Sequence, residues 1–141
     1  MPMFKRILIA YDGSVHSQRS LGCAKDLAQK YGAELVLVHA YHPVSRELGL
    51  SLFQQVEGEM IAAGRKVMQA AQSELASSGL QVTNELLEGP PAEALLRVAE
   101  TRHCDLIVMG SRGLGDLQAA LLGSVSHKVL QHSTVPVVIV K

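Results

Sequence analysis

Residues 105–126 run DLIVMGSRGLGDLQAALLGSVS. Leu106-Ile107-Val108-Met109 is a continuous apolar run, partly β-branched and too short for a helix, the pattern of a strand buried on both faces. It stops at Gly110. Gly113 follows after two intervening residues and Gly123-Ser124 after nine more. The strand therefore opens into a glycine-punctuated loop with some helical character, Gly110 to Leu122, and then into a helix over Ser124–Gln131. A doubly buried strand that feeds a loop and a helix is the building unit of a parallel sheet with helices packed on it.

The same unit recurs along the chain. Ile7-Leu8-Ile9-Ala10 is a short apolar strand stopped by Asp12-Gly13-Ser14, a turn suited to capping a helix. Leu21, Ala24, Leu27, Ala28 and Tyr31 then fall at helical spacing, and Gly32 is a fitting C-terminal cap. Glu34 to Ala40 is a second strand carrying Leu35, Val36, Leu37 and Val38, and Tyr41-His42-Pro43 opens an irregular stretch to about Leu52. Val56, Met60, Ala63, Val67, Ala70, Ala71 and Leu75 mark one stripe of a long helix that Ser77-Ser78-Gly79 breaks. Leu80 to Glu88 is a weaker strand ended by Gly89-Pro90-Pro91, and Pro91 suits the first residue of a helix. That helix presents Ala92, Leu95, Leu96 and Ala99, and Val135 to Val140 is a last strand. The alternation predicts a single doubly wound α/β domain over residues 1–141, a five-stranded parallel sheet with helices on both faces and right-handed crossovers.

Composition narrows the function. The chain has 141 residues, enough to bury a core without disulfides or a structural metal. Its 13 basic and 13 acidic side chains cancel, which gives no field to attract nucleic acid. No apolar run approaches the roughly eighteen residues of a membrane span. Met1 to Arg6 runs straight into a strand without a signal-like apolar region, so a cytoplasmic protein is expected. Cys23 and Cys104 form no C-x-x-C and read as buried small hydrophobes. His39 and His42, the closest histidine pair, have no carboxylate or thiol nearby to complete a metal site.

In an open parallel sheet, ligands bind beyond the carboxyl ends of the strands. Asp12-Gly13-Ser14, His39-Ala40 and Gly110-Ser111-Arg112-Gly113 all lie at such ends. Glycines let backbone approach a ligand and permit positive φ, while Gly123-Ser124-Val125-Ser126 opens a helix whose amides and dipole favour an anion. A phosphate chain fits. Ser124 and Ser126 offer hydroxyls to a phosphate or its Mg²⁺, Arg112 offers charge, and Asp12 suits a ribose hydroxyl or a magnesium-bound water. Each residue also has a purely structural reading: Gly110 and Gly113 as turn residues, Ser124 and Asp12 as caps, His39 as a hydrogen-bonded strand end and Arg112 as a solvated side chain. Their convergence on one crevice favours the ligand site. A G-x-x-x-x-G-K-[ST] loop is absent, and Gln118 stands where a dinucleotide fingerprint needs its third glycine. A phospho-receiver needs an Asp ending its third strand, where this chain has Leu87-Glu88-Gly89.

Lys5 to Ser14, Asp105 to Gly113, Gly123-Ser124-Val125-Ser126 and Val135 to Val140 together resemble the universal stress protein family, over nearly the whole chain. The glycine spacing is similar to that of its ATP-binding branch. The resemblance implies sheet order 3-2-1-4-5. It implies that Ala10, Asp12 and Ala40 lie near adenine and ribose, and that Gly110, Arg112, Gly113, Gly123, Ser124, Val125 and Ser126 surround ribose and phosphates. Met109 and Gly115 join that ATP-binding set, and Asp12 and Ser124 are the candidates for Mg²⁺ carried with the nucleotide. It also implies a homodimer through strand 135–140, whose apolar edge a second copy would cover. The expected function is an ATP-responsive regulator of an unidentified partner protein, in which nucleotide stabilises one arrangement of residues 114–122. The alternatives are a slow ATP hydrolase, for which no catalytic residue is evident beyond Asp12 as a test case, and a dimeric interaction or chaperone-like protein independent of nucleotide.

Overall fold

The computed structural model describes residues 3–113 and 122–141. In chain order these form β1 (Arg6–Ala10), α1 (Val15–Tyr31), β2 (Glu34–Tyr41), a 3-10 turn (Arg46–Leu48), α2 (Leu50–Leu75), β3 (Val82–Glu88), α3 (Pro91–Thr101), β4 (Leu106–Gly110), α4 (Ser124–His132) and β5 (Val137–Val140). The five strands are parallel in the order β3-β2-β1-β4-β5, with Ile7 opposite both Leu35 and Leu106. This is the expected topology.

Strand alternation divides the interior into two cores. Ile7, Ile9, Leu35, Leu37, Leu106 and Val108 pack with Leu21 and Ala24 of α1 and with Met68 and Ala71 of α2. Their neighbours Leu8, Val36, Val38, Ile107 and Met109 pack on the other side with Ala92, Leu95 and Val98 of α3 and Val129 of α4. Central strands are thus apolar at nearly every position because both of their faces are covered. At the amino ends of the strands, Asp105 accepts the Lys5 N–H at 2.8 Å and Arg6 pairs with Glu34 at 3.1 Å. That end of the sheet is closed by polar contacts, which leaves the carboxyl ends for a site.

Several element boundaries and faces differ from expectation. α2 begins at Leu50, inside the stretch read as irregular, and its buried residues are Phe53, Gly64, Met68, Ala71 and Leu75, while Ala63 and Ala70 are exposed. The reason for Ala63 is local: with Met60 and Val67 it borders a cavity instead of the sheet. α3 buries Ala94 and Val98 beside Ala92, Leu95 and Ala99, and leaves Leu96 half-buried, because it packs on both the sheet and α4. β5 starts at Val137, since the Val135 N–H donates to Ser133 Oγ at 3.1 Å and Pro136 has no N–H to offer a ladder. β3 starts at Val82; Leu80 packs on the core while its N–H donates to Ser78 Oγ at 3.2 Å. Cys104 is buried as read, and burial pushes its thiol up to about 11, whereas Cys23 is half-buried against the α1 side.

Candidate functional site

β1 and β4 lie side by side at the centre of the sheet, and the chain leaves them toward different faces, to α1 after β1 and toward α4 after β4. A crevice opens where connections part in this way. It is a cavity of about 440 Å³. Ala10 and Asp12 reach it from the end of β1, Ala40 from β2, and Met109, Gly110, Arg112 and Gly113 from β4 and its loop. Ser124, Val125 and Ser126 reach it from the first turn of α4. Gly123 adjoins that turn without lining the cavity. Gly115, with the rest of residues 114–121, lies outside the described residues.

The turn after β1 is closed by its own side chains. Asp12 Oδ1 accepts the Ser14 N–H at 2.9 Å, and Ser14 Oγ accepts the Ser17 N–H at 3.1 Å as the N-cap of α1. Gly13 sits at φ +84°, a conformation that favours glycine. Asp12 is therefore a turn-former and a cavity residue at once.

The β4 side is closed differently. Gly110 faces α1: a Cβ there would lie 2.6 Å from His16 Cβ and 2.9 Å from the His16 carbonyl carbon. Its glycine is required by the approach of helix to strand. Gly123, not Ser124, is the N-cap of α4, with φ −71° and ψ 165°, and no side chain among the described residues caps the helix. The Ser111 carbonyl accepts the Gly123 N–H at 2.6 Å and the Ser126 hydroxyl at 2.8 Å. The first turn of α4 thus brings amide donors, which no side chain of the described residues caps, to the border of the cavity at the positive end of the helix dipole.

The opposite wall is apolar and comes largely from α2, which sequence reasoning did not assign to the site. Met60, Ala63, Gly64 and Val67 line it, with Pro91 and Leu95 of α3. Gly64 permits this wall, because a Cβ there would lie 2.7 Å from Leu86 Cδ1 and 3.3 Å from His39 Cδ2. A glycine inside an otherwise regular apolar stripe was the available signal. His39 lines the cavity and donates from Nδ1 to the Tyr11 carbonyl at 2.8 Å, so it is the hydrogen-bonded strand end expected. Tyr11 and Tyr41 also border the space; burial, then Glu74 and Asp12 for Tyr11 and Glu57 and Glu88 for Tyr41, raises both phenols. Both stay neutral donors near pH 7. Among the described residues there is no group of three or more His, Cys, Asp or Glu placed to hold a metal, and no helix is long and apolar enough to cross a membrane.

Comparison with known proteins gives a consistent result. The model of the Universal stress protein family matches residues 3–141. A universal stress protein of Thermus aquaticus is 44% identical over 140 residues, covering 99% of this chain and 100% of the relative. Universal stress protein YxiE of Bacillus subtilis is 36% identical over 148 residues, with 99% and 100% covered. Among solved structures, MJ0577 of Methanocaldococcus jannaschii superposes with a TM-score of 0.88 at 29% identity, covering 99% of this chain and 96% of that one. A universal stress protein in complex with cAMP superposes with a TM-score of 0.74 at 26% identity, covering 98% and 97%. The chain belongs to the universal stress protein family.

Proposed function

We propose that the chain binds ATP in this cavity and acts in the cytoplasm as a nucleotide-responsive regulator of a partner protein. The observation that carries the reading is the union, in one cavity, of an apolar wall with a helix start lacking a side-chain cap among the described residues. A flat base needs the first and a phosphate chain the second. The solved relative that holds cAMP supports an adenine nucleotide as the ligand class. In this reading Ala10, Asp12 and Ala40 lie toward adenine and ribose. Met109, Gly110, Arg112 and Gly113 flank the ribose and phosphates, which end at the Ser124–Ser126 amides. Mg²⁺ enters with the triphosphate, and the hard oxygens of Asp12 and Ser124 suit it. The half-buried apolar strand β5, at one edge of the sheet, is the proposed dimer contact.

The test is to denature the purified protein, identify any released nucleotide by mass spectrometry, and titrate Mg-ATP against thermal stability. Released adenine nucleotide, or stabilisation of about 2.7 kcal/mol at a hundredfold excess over Kd, is expected. Neither nucleotide nor stabilisation would leave the glycines as structural elements and favour a nucleotide-independent interaction protein.

A further inference from the structure

Ser126 lies in the first turn of α4 and borders the cavity, which invites the reading that its hydroxyl touches a phosphate. The hydrogen bonds point elsewhere. The side chain is buried, with Oγ 2.8 Å from the Ser111 carbonyl oxygen and 3.1 Å from that of Gly123. A serine hydroxyl has one proton, and both neighbours are acceptors. A phosphate oxygen is also an acceptor, so the proton can reach it only by leaving Ser111.

The Ser111 carbonyl is the junction of this region. It receives the Gly123 N–H at 2.6 Å as well as the Ser126 hydroxyl, while the Ser111 N–H donates to the Val140 carbonyl of β5 at 2.8 Å. These bonds tie the start of α4 to the end of β4, across residues 112–122 of the chain. They fix where the α4 amides stand relative to the strand ends.

We propose that Ser126 is a positioning residue for phosphate binding: its hydroxyl latches α4 to the Ser111 carbonyl and so aims the helix-start amides at the ligand, without itself contacting it. This rests on the nucleotide reading above. Backbone amides, not the Ser126 hydroxyl, then recognise the phosphates. Loss of the latch weakens ligands according to their phosphates and leaves the base and ribose contacts intact.

The experiment compares wild type, Ser126→Ala and Ser126→Thr, with native circular dichroism and thermal midpoints recorded for each. Amide exchange at Gly123 is followed in nucleotide-free protein, and Kd is measured for Mg-ATP and for adenosine. Ser126→Ala should speed Gly123 exchange about tenfold, weaken ATP about tenfold and leave adenosine within about twofold. Ser126→Thr, which keeps the hydroxyl, should restore exchange and affinity; if it does not fold, the alanine variant decides alone. Weaker ATP binding with unchanged Gly123 exchange would overturn the proposal in favour of direct phosphate contact. Faster exchange with unchanged ATP affinity would overturn it in favour of a bond that serves only the fold. Wild type that binds neither ATP nor adenosine defeats the nucleotide reading itself and the proposal with it, whereas the other two failures occur in a protein that binds ATP.

Discussion

The turn after β1 and the loop after β4 border the same cavity, but they are held by different kinds of contact. Asp12, Ser14 and Ser17 bond one another within a few residues of chain. Ser111, Gly123 and Ser126 bond across as many as 15 positions. The side-chain bonds that close the first turn join residues two or three positions apart. The second joins the end of β4 to the start of α4, two elements held against the rest of the fold by β5 and α3. A site made from both has one wall set by local chemistry and another set by tertiary packing, and substitutions in the two should behave differently.

The largest expected effect lies on the packed side. Gly110→Ala places a methyl group 2.6 Å from His16 Cβ and 3.1 Å from the His16 carbonyl oxygen, where helix backbone cannot retreat as a flexible side chain would. We expect a loss of about 3 kcal/mol in urea denaturation. ATP affinity should fall only as far as the displaced β4 end carries the loop with it. Unchanged stability accompanied by lost nucleotide binding would break the comparison, since Gly110 would then be a ligand glycine like those first expected from the spacing.

This contrast also governs how much could be read from the residues alone. The alternation of strands and helices, the two-faced core and the strand ends that converge on the cavity were legible, because apolar runs such as Leu35–Val38 and caps such as Gly32 are local signals. The order of the strands came from the family resemblance instead, since parallel neighbours leave no mark in the sequence between them. The α2 wall was not legible. Ala63 and Val67 carry the same apolar signature whether they face a sheet or a cavity, and only the approach permitted by Gly64 separates the two. The partner of Gly110 was likewise hidden, because His16 belongs to α1, far away in the chain. Ser124 looked like the N-cap on residue type, yet Gly123 takes that place because its N–H is fixed to Ser111.

An intermediate effect is expected at Asp12, which works for both the turn and the cavity. Asp12→Ala removes the acceptor for the Ser14 N–H and should cost about 1 kcal/mol of stability. It should also weaken Mg-ATP about tenfold, equivalent to about 1.4 kcal/mol. Asp12→Asn keeps an oxygen for the turn and removes the negative charge. Its stability in thermal or urea denaturation should stay within about 0.5 kcal/mol of wild type while calorimetry still reports weaker Mg-ATP. Equal loss of stability in both variants would mean that the charge, not the turn acceptor, holds this segment.

The smallest effect, and the sharpest contrast with Ser126, is expected at Ser14. Both are buried serines near a helix start beside the cavity, but Ser14 accepts the Ser17 N–H within its own turn and does not line the space. Ser14→Ala should lower stability by about 1 kcal/mol, the usual cost of a lost N-cap. Its ATP and adenosine affinities, measured by calorimetry on the folded protein, should remain within about twofold of wild type. The reason is that the rest of the turn keeps its aim: Asp12 still accepts the backbone N–H of residue 14, and Gly13 still supplies the positive φ. If Ser14→Ala weakened ATP as strongly as Ser126→Ala, the two loops would form one cooperative unit, and the division into locally closed and packing-closed walls would fail.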